Sequence, residues 1–109
     1  MLTPSTNCPL GPCVKLLAGA WTLEIIFHLK DSTMHFGGLK RILGKISAKV
    51  LSARLKELEA RGIIDKHETE DPQRKVEYQL TSLGRELIPI LDLISEISVK
   101  LKNKYPDEI

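Results

Sequence analysis

No apolar run in this sequence approaches the roughly 18 residues needed to cross a bilayer, so no membrane association is expected. The start, "MLTPSTNCPLGPC", lacks the basic residues followed by an apolar stretch that mark a secretory signal. Cysteine is nearly missing as well. Cys8 and Cys13 are the only two, too few for a disulfide scaffold, and the expected location is the reducing cytoplasm. There is no glycine-rich phosphate loop, no nucleophile elbow and no carboxylate pair at an acid-base spacing. No catalytic residue is therefore assigned, and an enzyme has nothing to stand on. Cys8 and Cys13 are separated by four residues, two of them prolines, unlike a common zinc spacing, and His28, His35 and His67 show no paired pattern. No metal and no cofactor are expected. Repeats, low-complexity tracts and linkers are lacking too. What remains is one domain over residues 1–109, with the 42% hydrophobic and 28% charged content of an ordinary globular protein.

The net charge of +2 says nothing by itself about a polyanionic partner, but its distribution does. Residues 39–61 hold seven basic residues (Lys40, Arg41, Lys45, Lys49, Arg54, Lys56 and Arg61) against Glu57 and Glu59, a balance of +5 that leaves −3 for the rest. A basic block inside a slightly acidic chain suggests one face meant for nucleic acid. An ordinary solvated helix face would give the same charge count.

The pattern along the chain predicts a first helix within 8–19, ending at Gly19, and a second over about 21–31, with Leu23, Ile26, Phe27 and Lys30 at helical spacing. "STMHF" allows a short extended segment, and "FGGLKRILG" reads as a third short helix closed by Gly44. Ser47 is placed to cap a fourth helix running to about Arg61, with Gly62 as its left-handed C-terminal residue. "IIDKHETE" and "VEYQL" alternate like two strands around the turn sequence "DPQRK". Thr81 caps a long last helix over 82–104, with Pro89 as a kink.

Two short helices joined by a tight turn and followed at once by a hairpin make a winged helix-turn-helix. The fold class is thus mainly α with a small β-hairpin: a helix-turn-helix over 36–62, a wing over 63–80 and a dimerisation helix over 82–104. On the fourth helix Leu51, Leu55 and Leu58 share one face, while Lys49, Ser52, Ala53 and Lys56 lie opposite and Arg54 flanks them. A small, hydroxylated, basic face of this kind can approach base edges, and its N-terminus favours phosphate. The expected DNA contacts are Lys40, Arg41, Ser47, Lys49, Ser52, Arg54 and Lys56 from the helix pair, with Arg74 and Lys75 from the wing.

Ile90, Ile94, Ile97 and Leu101 recur at spacings of four, three and four, and Leu83, Leu87 and Leu91 are left to face the domain's own core. A helix of about 23 residues is roughly 35 Å long, too long for so small a domain to cover. Its apolar excess is expected to bury against a second copy.

"GAWTLEIIFHL", "FGGLKRIL", "ISAKVLSARLKELEARGIID" and "VEYQLTSLGRELIPIL" resemble, in order and in register, the motifs of the HxlR-type regulators, a branch of the MarR-like winged-helix transcription factors. The resemblance runs from Cys8 to about Asp92. It implies a homodimeric, sequence-specific DNA-binding regulator without catalytic activity, dimerising through the long C-terminal helix and the first helix. Its partners would be double-stranded DNA, a second copy of itself and an effector whose identity the sequence does not give.

The chain departs from the family pattern in three places. Gly11 and Pro12 replace two polar helix formers, Gly19 and Ala20 replace a glycine-glycine-lysine approach to Trp21, and Arg74 and Lys75 stand where one arginine precedes "VEY". The wing contact is thereby divided between those two residues. Cys8 followed by Pro9 matches a family cysteine that senses oxidants or electrophiles in several members. Physically, a thiol at a helix N-terminus gains thiolate character from the dipole. The other reading of Cys8 is a small hydrophobe at the dimer interface, and Cys13 reads as core packing. Trp21 reads as an anchor packed against the first helix rather than a ligand gate. The alternatives to a redox-responsive regulator are a winged-helix module that binds proteins and a regulator answering to a small-molecule ligand.

Overall fold

The computed structural model describes residues 8–70 and 75–107. The elements are α1 (Gly11–Leu17), α2 (Thr22–His28), β1 (Met34–His35), α3 (Phe36–Leu43), α4 (Ala48–Ala60), β2 (Ile64–Glu68), β3 (Val76–Leu80), α5 (Ser82–Arg85) and α6 (Ile88–Lys104). Pro12 sits in the first turn of α1, where its missing N–H costs nothing. Ser47 caps α4 through a 3.1 Å bond accepted from the Val50 N–H, and Gly62, at φ 76°, follows its C-cap Arg61 in the left-handed conformation. Both were expected from the sequence.

The sheet differs from a plain two-stranded wing. It has three antiparallel strands in the order β1-β3-β2, with Met34 opposite Tyr78 and His35 opposite Glu77 on one side of β3. That pairing shortens α2. After His28 the Leu29 N–H bonds back to Ile25 and Ile26, the Lys30 N–H bonds to Phe27, and residues 31–33 leave the helix so that β1 can reach β3. Lys30 consequently lies off the apolar stripe, with its Nζ 4.7 Å from the Phe27 ring centre and 3.4 Å from Asp92 of α6.

The expected continuous helix over 82–104 is two helices, α5 and α6, meeting at Glu86 and Leu87. Pro89 supplies the reason. Its ring clashes with the carbonyl four residues back, that of Arg85, the last residue of α5. Leu83 then points away from the core and is 52% exposed, against expectation, whereas Leu87 is half-buried and Leu91 buried as foreseen.

The core is aliphatic. Ile25, Ile26 and Leu29 of α2 and its end, Leu39 of α3, Leu51, Leu55 and Leu58 of α4, Ile64 and Leu80 of the sheet, and Leu91 of α6 are all buried together. At roughly 1.5–3 kcal/mol for each fully buried aliphatic side chain, this cluster holds α4 against α2 and against the root of the wing. Trp21 is half-buried against that cluster as an anchor, but its backbone is left-handed (φ 71°), a conformation that costs a non-glycine residue roughly 1–2 kcal/mol.

Candidate nucleic-acid interface

Because Leu51, Leu55 and Leu58 bind α4 to the core, the opposite side of the helix is forced outward. Lys49, Ala53 and Lys56 are exposed there, Ser52 is half-buried, and Ser47 is exposed at the N-cap. Among the described residues, neither Lys49 nor Lys56 has an ion-pair partner. The face is thus a small, basic strip with room for close approach at Ala53.

Arg54 is placed otherwise. Its Nε donates a 3.0 Å hydrogen bond to the carbonyl of Ala20, its Nη1 lies 4.0 Å from Glu57, and its side chain is only 30% exposed. The guanidinium is turned toward the α1–α2 junction rather than outward with Lys49 and Lys56. Ala20 carried no signal in the sequence, since a backbone carbonyl at a turn leaves none.

On α3, Arg41 is exposed and Lys40 half-buried. Arg41 lines a cleft with Lys75, Val76 and residues 35–38, so one basic residue of the helix pair and one of the wing meet at a single depression. Arg74 lies outside the described residues. Gly44, at φ 75°, provides the sharp exit from α3 that sets α4 across it.

Cys8 lies three residues before α1, where its carbonyl accepts the Gly11 N–H at 3.2 Å, and it is half-buried. Cys13 is not a core residue. It is half-buried and lines a mostly apolar cavity with Leu16, Ile63, Leu83, Leu87, Arg61 and Glu86. Both thiols are free.

On α6 the stripe of Ile90, Ile94, Ile97 and Leu101 is 40%, 41%, 54% and 40% exposed, and Leu93 on its flank is 59% exposed. Leu93 falls outside the four-three-four spacing and was missed for that reason.

The HxlR-like helix-turn-helix family model matches residues 16–105. An uncharacterized HTH-type transcriptional regulator of Halalkalibacterium halodurans is 42% identical over 98 residues, spanning 89% of this chain and 87% of that protein. Among solved structures, a MarR-family transcriptional regulator from Porphyromonas gingivalis W83 is 35% identical, superimposes with a TM-score of 0.82, and covers 91% of this chain and 97% of its own. The redox regulator HypR in its oxidized form is 32% identical with a TM-score of 0.80, covering 85% of this chain and 96% of its own.

Proposed function

This chain belongs to the HxlR-like helix-turn-helix family, and on that premise we propose that it is a transcriptional regulator that binds a pseudo-palindromic operator as a homodimer. The observation that carries this reading is the outward face of α4, where Lys49 and Lys56 stand exposed around Ser52 and Ala53 without ion-pair partners among the described residues. A protein-binding surface would favour aromatic residues and exclude lysine. α4 enters the major groove, with Ser47, Lys49 and Ser52 in its N-terminal half toward the base edges. Lys40, Arg41 and the wing residues Arg74 and Lys75 hold the sugar-phosphate backbone, and Lys56 adds charge along the groove. The α6 stripe, together with α1, closes the dimer, since a row of large aliphatic side chains at this exposure is otherwise left in water. Two α4 helices related by a two-fold axis then address half-sites about 34 Å apart.

The likeness to HypR, described as a redox regulator, supports Cys8 as a sensor that alters DNA binding when oxidised. Such oxidation would join Cys8 to a thiol of the partner subunit or to a small thiol. Cytoplasmic action follows from this role, and among the described residues no helix is long and apolar enough to cross a membrane.

Gel-shift titration against the DNA upstream of the protein's own gene, at several salt concentrations and beside a scrambled duplex, tests the central reading. Preferential, salt-dependent retardation of the upstream duplex is expected; equal affinity for both duplexes removes sequence-specific regulation. Diamide should change that affinity in the wild type and not in Cys8→Ser. Equal responses of the two proteins would reduce Cys8 to a packing residue.

A further inference from the structure

Leu83 is turned out of the core, and the place it turns to is the wall of a cavity. That cavity, of about 450 Å³, lies where α1, the end of α4, the root of the wing and α5 converge. Pro12, Cys13 and Leu16 of α1, together with Ile63, Leu83 and Leu87, give it a mostly apolar wall. Two charged side chains line it as well, Arg61 at the C-cap of α4 and Glu86 at the C-cap of α5. Both are exposed, and neither has an ion-pair partner among the described residues. Opposite charges therefore border one apolar cavity without pairing with each other.

The cavity is separate from the surface assigned to the dimer. Along α1 each residue turns by about 100°, which sets Pro12, Cys13 and Leu16 on one side and the exposed Leu10 and Val14 on another. No residue of the α6 stripe lines it. A second copy seated on Leu10, Val14 and that stripe leaves the cavity open to a small molecule. Sites for such ligands combine an apolar body with a few placed polar groups that orient the occupant. Here Arg61 offers a planar fork of donors that suits a carboxylate, and Glu86 offers an acceptor that suits an ammonium. A ligand with only one of those charges leaves the other protein charge unanswered. A molecule with both charges on one carbon, beside an apolar branch, answers both and covers the wall.

We propose that this cavity binds a free α-amino acid with a large apolar side chain. The Arg61 guanidinium takes the carboxylate, Glu86 takes the ammonium, and the side chain lies against Leu16, Ile63, Leu83 and Leu87. The seat touches α1, the end of α4 and the root of the wing, the parts whose relative placement the DNA-binding reading above depends on. Binding of the amino acid does not itself depend on that reading, and it is measured without DNA.

The test is calorimetric titration of the full-length protein with L-leucine and with L-phenylalanine. Saturable binding of at least one is expected, with a raised Tm in its presence. Isocaproate and isoamylamine, which each keep one charge of leucine, should bind several-fold more weakly, as should L-serine, which lacks the apolar branch. Arg61→Gln should no longer distinguish the bound amino acid from its amine, and Glu86→Gln should no longer distinguish it from its carboxylic acid. Cys13 reports the location. In Cys8→Ser it is the one remaining thiol, and the bound amino acid should slow its alkylation by N-ethylmaleimide several-fold. Wild-type protein that binds neither amino acid at millimolar concentration overturns the proposal. So does binding that both charge variants retain in full, or that leaves Cys13 alkylation unchanged. Failure of the gel shifts would remove the DNA-binding reading and leave these titrations untouched, so the two readings fail separately.

Discussion

The Nε of Arg54, in the second turn of α4, donates a 3.0 Å hydrogen bond to the backbone carbonyl of Ala20, in the turn between α1 and α2. That bond ties the proposed reading helix to a junction whose next residue, Trp21, is already left-handed, and it fixes how α4 is set against the first two helices. Arg54→Ala leaves the carbonyl without its charged donor, at a cost of about 1–2 kcal/mol. Each kcal/mol corresponds to roughly 4–8 °C in Tm for a domain of this size. Arg54→Gln, which retains an N–H donor, should recover part of the loss in thermal melts. An unchanged Tm combined with a salt slope lowered by about one per subunit would instead make Arg54 a phosphate contact, closer to the sequence expectation.

Gly84 lies where any β-carbon would collide with the backbone carbonyl of Ile63. The same carbonyl accepts the Thr81 N–H at 3.0 Å and the Thr81 hydroxyl at 3.1 Å, so it cannot retreat without breaking the joint between the wing and α5. Gly84→Ala should destabilise the protein by about 1–3 kcal/mol, the range for overpacking a close contact. Chemical denaturation measures it. Gly37→Ala, where nothing lies within 4 Å of the added carbon, is the control and should change stability far less.

Ile94 and Leu101 lie on the exposed stripe of α6, 41% and 40% accessible. Ile94→Glu/Leu101→Glu places two carboxylates on each side of the proposed two-fold interface and removes its apolar area. Sedimentation should show a monomer with native helical content and weak DNA binding. A double variant that still sediments as a dimer places the interface elsewhere.

The two proposed kinds of DNA contact separate by salt and by sequence. Lys75→Ala should weaken binding to operator and scrambled duplexes alike, with the salt slope falling by roughly one per subunit. Ser52→Ala or Lys49→Ala should cost about 1–3 kcal/mol chiefly on the operator, narrowing its margin over random DNA. Titrations of both duplexes at several salt concentrations read both effects. Loss of specificity in the wing variant, with only general weakening in the α4 variants, would reverse the roles assigned to helix and wing.

Local chemistry was enough to place much of this fold from the sequence. Ser47 and Gly62 bracket α4 because a hydroxyl cap and a left-handed glycine act within one turn of chain. The spacing of Leu51, Leu55 and Leu58 decides which face of α4 is buried, and therefore that Lys49 and Lys56 point outward. The order of helices and strands, with the family motifs they carry, pointed to the winged helix. What depends on distant segments could be read only from the tertiary structure. Arg54 looked like an outward-reaching cation until a carbonyl 34 residues earlier claimed it. The third strand rests on two residues, Met34 and His35, too few to show any alternation, and it exists because β3 offers them a free edge. The division of the last helix was signalled by Pro89, but only the folded chain shows that Leu83 turns outward as a result. His35, His67 and Glu77, up to 42 positions apart, become neighbours solely through strand register, which is set by which side chains the sheet buries rather than by any local pattern around the histidines.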